Sequence, residues 1–138
     1  MRGSSAVVLN SVIYNIGGGG SSHSVWWCSL LSNDPPKWKS MDLENYSFKG
    51  YRWREALVVG NKIVYFGSNN QNATFMLEEE EEGTLRVTRK DDGFDLNRSI
   101  NTASRVFKKE IYAFKTGKYD EVHRYNVETG KWSLYYSQ

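Results

Sequence analysis

Short apolar and aromatic runs, each broken by polar or small residues, alternate along almost the whole chain. AVVL, VIYNI, VWWCSLL and WKSM are followed by ALVV, IVYF, ATFML and TLRVTRK, and then by ASRVF, IYAF, EVHRYNV and KWSLYY. Bounded runs of this length, rich in Val, Ile, Tyr, Phe and Trp, predict strands. Between the first and second runs of each group lie Asn10-Ser11, Gly60-Asn61 and Lys108-Lys109-Glu110. Gly60-Asn61 is good chemistry for a two-residue hairpin. The pattern therefore predicts an all-β chain of three four-stranded antiparallel units covering nearly all of residues 6–136, with little room for helix.

The units also repeat in detail. VIYNIGG, IVYFGSN and IYAFKTG each run from an apolar-aromatic strand into a small-residue loop, and the alignment makes Tyr14, Tyr65 and Tyr112 equivalent. A four-stranded unit of roughly 50 residues is the signature of a propeller blade. Gly17-Gly18 with Trp38 in the first unit, and Tyr125 followed by Trp132 in YNVETGKW, are the residues that decide between blade types. On them the chain resembles the kelch-repeat family, whose pattern is an apolar strand, a diglycine, then a spaced Tyr and Trp. The second unit keeps only Gly67 of the diglycine, and the third has Lys115-Thr116 in its place. The resemblance implies kelch-like blades at 6–41, 54–90 and 102–136 in one domain, forming part of a β-propeller. Residues 1–5 read as an N-terminal leader. The glycines of IYNIGGGGSS then end a strand and begin a loop, because no helix follows to supply the N–H groups of a phosphate site.

Large aromatics suit the space between facing sheets, so Trp38, Trp132, Tyr14, Tyr65, Tyr112 and Tyr125 are expected in the core. In an up-and-down sheet successive connections alternate between the two ends of the strands. The loops between second and third strands, and the connections from one unit to the next, therefore share one side. That side carries the candidate partner-binding residues: Tyr46, Phe48, Tyr51, Arg52 and Trp53 in one connection, with His23, Asn69, Asn70, Arg98 and Tyr119 in the others. Tyr, Trp and Arg are the types enriched at binding hot spots. In kelch proteins that recognise partners, the resemblance implies that these same loops form the recognition surface. On the opposite side, the five glutamates Glu78–Glu82 read as a solvated turn between third and fourth strands, since like charges repel.

Totals narrow the partners. At 138 residues the chain is one domain in length, and 39% hydrophobic with 14% aromatic residues excludes a wholly disordered chain. Eighteen basic and sixteen acidic residues, a net charge of +2, give no basic tract for nucleic acid or an acidic membrane. No apolar run reaches the ~20 residues that span a bilayer. The single cysteine, Cys28, excludes an intrachain disulfide and favours a reducing, cytoplasmic compartment, against weak N-x-S/T sequons at Asn45, Asn72 and Asn97. Catalytic material is thin. Cys28 and His23 lack an orienting third residue. Asp91, Asp92 and Asp95 lack the closing Glu of a calcium loop. No cofactor is expected.

Propellers close with about four to eight blades. Three units leave an apolar face at each end, so three arrangements are open: a second copy completes the ring, another chain or segment does so, or the chain is a fragment of a larger protein. The function expected from this reading is a non-catalytic protein-protein interaction module, a kelch-type scaffold or adaptor. The alternative is an enzyme on a kelch-like propeller, using a metal or small substrate in a central channel.

Overall fold

The structure, a computed structural model, describes residues 5–16, 24–31, 35–43, 53–68, 73–91, 102–115 and 120–137. Among the described residues the chain is all-β, twelve strands in three four-stranded antiparallel sheets with no helix. The first sheet holds β1 (Ser5–Leu9), β2 (Val12–Ile16), β3 (Ser24–Ser29) and β4 (Lys39–Asp42). The second holds β5 (Trp53–Val59), β6 (Lys62–Ser68), β7 (Ala73–Glu81) and β8 (Thr84–Asp91). The third holds β9 (Thr102–Phe107), β10 (Glu110–Lys115), β11 (Glu121–Asn126) and β12 (Lys131–Ser137). Within every sheet the strands lie side by side in chain order.

Two-residue turns join the first pair of strands in all three sheets. Leu9 pairs with Val12 across Asn10-Ser11, Val59 with Lys62 across Gly60-Asn61, and Phe107 with Glu110 across Lys108-Lys109. The leading turn residue is left-handed each time, with φ of 49° at Asn10, 63° at Gly60 and 57° at Lys108. Primed turns need that geometry because their twist matches the flanking strands. Glu110 belongs to β10, so the third turn is one residue shorter than the sequence suggested.

These turns fix the register, and the register corrects the tyrosine alignment. Counted from the turn, Tyr14 corresponds to Val64 and Tyr112, whereas Tyr65 corresponds to Asn15 and Ala113. A shift of one residue in a strand moves a side chain to the other face. Tyr14 accordingly faces forward from the first sheet and Tyr65 backward from the second, both into one core layer with Leu9, Ile16, Val25 and Leu77. A second layer, with Val59, Val64, Phe66, Ile111, Ala113 and Tyr125, lies between the second and third sheets.

The middle sheet is thus covered on both faces, and its sequence says so. Ile63, Val64, Tyr65 and Phe66 form a continuous apolar run, each at most 1% exposed. VIYNI of the first sheet instead alternates buried and half-buried positions. Backbone approach within 8 Å between sheets is concentrated on β1 with β5 and β5 with β9, so the first strands lie innermost. Farther out, large rings fill the gap: Phe66 meets Trp132 at 5.1 Å between centroids, and Tyr125 meets Trp132 at 5.0 Å.

Of the six aromatics expected in the core, Tyr14, Tyr65 and Tyr125 are fully buried. Trp132 and Tyr112 are half-buried. Trp38 lies before β4 rather than in it and is 48% exposed, so it is no core residue. Tyr112 faces forward from the last sheet, where no further sheet packs among the described residues. The acidic run is also not the turn it was expected to be. Glu78 to Glu81 belong to β7, and only Glu82-Gly83 turns the chain. Pairing with β8 sets Glu78 opposite Arg86, which it meets at 3.1 Å, and cross-strand opposite charges favour the extended form.

Candidate functional site

The junction between the first and second sheets is polar at one end. Counting from the turn places Asn10 and Tyr14 on the forward face of the first sheet, opposite the β7–β8 hairpin of the second. The Tyr14 hydroxyl donates to Glu79 Oε2 and accepts the Gly83 N–H at 3.1 Å, while Asn10 Nδ2 donates to Glu79 Oε1 at 3.0 Å. Burial and the adjoining Glu79 carboxylate push the Tyr14 phenol well above its ordinary range. It stays protonated and acts as a clasp, with no base chemistry available to it. Gly83 has φ of 78° and lies so close to the Trp27 ring that a Cβ would overlap it. Glycine is required there for both reasons. The second junction has its own tie, Trp132 Nε1–H to Thr74 Oγ1 at 2.9 Å.

Beyond these junctions two faces carry exposed apolar side chains. On the third sheet Phe107 is 62% and Tyr135 58% exposed, Tyr112 lies edge-on to Tyr135 at 5.3 Å, and the Arg124 guanidinium lies over the Tyr135 ring. Beside them opens a recess of about 480 Å³, lined by Phe107, Lys108, Lys109, Glu110, Tyr112 and Asn126 among others. On the first sheet the exposed residues are Val8, Leu30 and Leu31. Sequence reasoning singled out none of Phe107, Tyr135 and Leu30. Counting register from Lys108-Lys109 would have found Phe107, because it sets Phe107 and Tyr112 on the face pointing away from Ile111 and Ala113.

The predicted partner-binding residues Tyr46, Phe48, Tyr51, Arg52, His23, Asn69, Asn70, Arg98 and Tyr119 lie outside the described residues. Trp53 is the first residue of β5, which places its backbone in the strand. The strand ends flanking those loops are described. Ser5 Oγ accepts the Ala56 N–H at 3.0 Å, near the beginnings of β1 and β5, while Asn10 and Tyr14 meet Glu79 and Gly83 at the opposite ends. With the chain order of the strands, this sets the β2–β3 and β6–β7 strand ends, and the end of β4 with the start of β5, on a common side.

The interior side chains that could carry chemistry are few among the described residues. Cys28 is buried. His123 lies 3.0 Å from Glu121 of its own strand. Among the described residues, no three His, Cys, Asp or Glu side chains gather as a metal centre requires. Nor is any helix among them long and apolar enough to cross a membrane.

Comparison with known proteins places the fold and no more. No protein-family profile matches the chain, and no curated protein matches it. Among solved structures it is similar to that described as "Structure of YjhT", with a TM-score of 0.59 over 98% of this chain at 11% identity. The match covers 50% of that protein, so the present chain spans about half its length. At this identity the likeness concerns the all-β architecture alone.

Proposed function

We propose that the three sheets are kelch-like blades of a partial β-propeller, and that the chain is a non-catalytic protein-protein interaction module of the scaffold or adaptor kind. Its partner surface is the side bearing the loops after β2, β6 and β10 and the connections after β4 and β8. The observation that carries this reading is the common direction of the sheets: innermost first strands lie together, and their beginnings and turns align from the first sheet to the second. A meander repeated in that way gathers its longer connections at one end, where Phe48, Tyr51 and Arg52 supply hot-spot chemistry. The single buried cysteine fits a reducing compartment such as the cytoplasm. The proposed partner is a protein, with neither nucleic acid nor membrane in that role.

The test is comparative capture from cells expressing the wild-type chain or the Phe48→Ala, Arg52→Ala double variant, quantified by mass spectrometry. Specific proteins lost with the double variant, at an unchanged melting temperature, support the loop side as the recognition surface. Identical profiles for the two chains reject it. Turnover of a small substrate by the purified chain would reject the non-catalytic reading.

A further inference from the structure

Both internal junctions follow one register rule, and the two unused halves of that rule are exposed on the same chain. On the forward face, Leu9, Asn10 and Tyr14 of the first sheet correspond to Val59, Gly60 and Val64 of the second and to Phe107, Lys108 and Tyr112 of the third. On the backward face the matching position lies one step past the β2–β3, β6–β7 and β10–β11 pairings, whose last pairs are Val12 with Ser29, Lys62 with Glu78 and Glu110 with Asn126. One step on are Leu30, Glu79 and Val127. Leu30 does continue the ladder, its N–H donating to Ser11 O at 2.8 Å. Glu79 fills its place by meeting Asn10 and Tyr14, and Val127 by packing in the layer with Val59 and Val64. Leu30 is 51% exposed, and the Phe107–Lys108–Tyr112 position opens into the 480 Å³ recess.

We propose that a second copy of this chain completes the rule. The first sheet of each copy docks on the third sheet of the other, seating Leu30 against Lys108 and Tyr112 across the interface, and the two equivalent contacts close a pair of six sheets. A second copy is the occupant indicated because the docking is continuous with a junction the chain already forms twice, and because a closed pair uses both exposed halves and leaves neither over. The inference rests on reading the sheets as stacked blades, but it fails separately from that reading. Loop variants at Phe48 and Arg52 alter partner capture and not mass, whereas Leu30→Lys alters mass.

Sedimentation velocity on the 138-residue chain tests it. The wild type is expected to reach twice the chain mass. Leu30→Lys, which sets an ammonium against Lys108, is expected to lose the doubled mass, and adding Lys108→Glu to Leu30→Lys to restore it. Leu30→Glu, which recreates the arrangement of Glu79, is expected to keep it. Phe107→Ser gives an independent loss at a site exposed in the single chain. A wild type that remains a single copy at every concentration overturns the proposal, as does a doubled mass that survives Leu30→Lys. A wild type of larger fixed mass overturns the closed pair.

Discussion

Replacing Tyr14 with Phe removes one oxygen from the junction between the first two sheets and leaves the ring in place. Two hydrogen bonds go with it. The bond to the Glu79 carboxylate belongs to the charged class, worth about 1.5–3 kcal/mol, and the Gly83 N–H loses its acceptor in a buried turn at a cost of about 1–3 kcal/mol. Glu79 is half-buried and keeps Asn10 on its other oxygen, so water and Asn10 recover part of the first term. A net loss of about 2–3 kcal/mol results, a large share of the ~5–15 kcal/mol that holds a domain together. Urea unfolding should show it as a lower midpoint with an unchanged slope, since the surface exposed on unfolding hardly differs. A double-mutant cycle with Glu79→Ala should return a coupling of about 1 kcal/mol or more. The variant has a pH signature as well. Burial raises the Tyr14 pKa in the folded chain above its ordinary value of 10.0, so its contribution is complete below pH 10 and is lost as pH climbs from there toward the folded value. Tyr14→Phe should flatten that alkaline decline. A loss below about 0.5 kcal/mol, together with the wild-type alkaline slope, would refute the clasp.

Gly83→Ala and Gly60→Ala separate strain from overlap. Both residues have positive φ, but a Cβ at Gly60 meets nothing within 4 Å and one at Gly83 enters the Trp27 ring. Gly60→Ala is expected to cost about 1–2 kcal/mol and Gly83→Ala clearly more, as read from chemical unfolding. Equal losses would show that Trp27 moves aside freely. Trp132→Phe strands the Oγ1 of Thr74, a residue only 1% exposed, and should cost about 1–3 kcal/mol. Trp38→Ala, at a half-exposed residue outside its strand, should change the unfolding free energy by no more than the scatter of surface variants, about 0.5 kcal/mol. Glu55 is held above the usual carboxylate range by burial, partly offset by Arg105, so Glu55→Gln should stabilise the chain at neutral pH and not at acid pH. A neutral-pH loss would count against that burial.

Strand number, order and the three meanders were legible in the chain because β-branched and aromatic runs end at turn residues with a mechanism, Gly60-Asn61 above all. Facing was not. VIYNI and IVYF look superimposable by their tyrosines, yet Tyr14 and Tyr65 point opposite ways, since the turn and not the tyrosine sets the register. The acidic run misled for a related reason. Charge repulsion argues for a solvated turn, but the pairing of Glu78 with Arg86 depends on the β7–β8 register, and the Asn10–Tyr14 clasp lies far away in sequence and becomes visible only once sheets are stacked. Trp38 matched the family spacing without the packing that spacing usually reports. The exposed faces were foreseen as a consequence of three units. Their residues, Phe107 and Leu30, depended on register and so escaped notice, while the loop residues Tyr46 to Arg52 were nominated on chemistry alone.

On this reading the forward face of the third sheet and the backward face of the first are two halves of one interface. Chains carrying Leu30→Cys and chains carrying Lys108→Cys, prepared separately, mixed and treated with a short bis-maleimide, test this directly. Cys28 is 3% exposed and supplies no competing thiol. Covalent pairs joining Leu30→Cys chains to Lys108→Cys chains are expected, in excess over pairs of either chain with itself. Pairs formed only between like chains, or no pairs above those of the wild type, would contradict it.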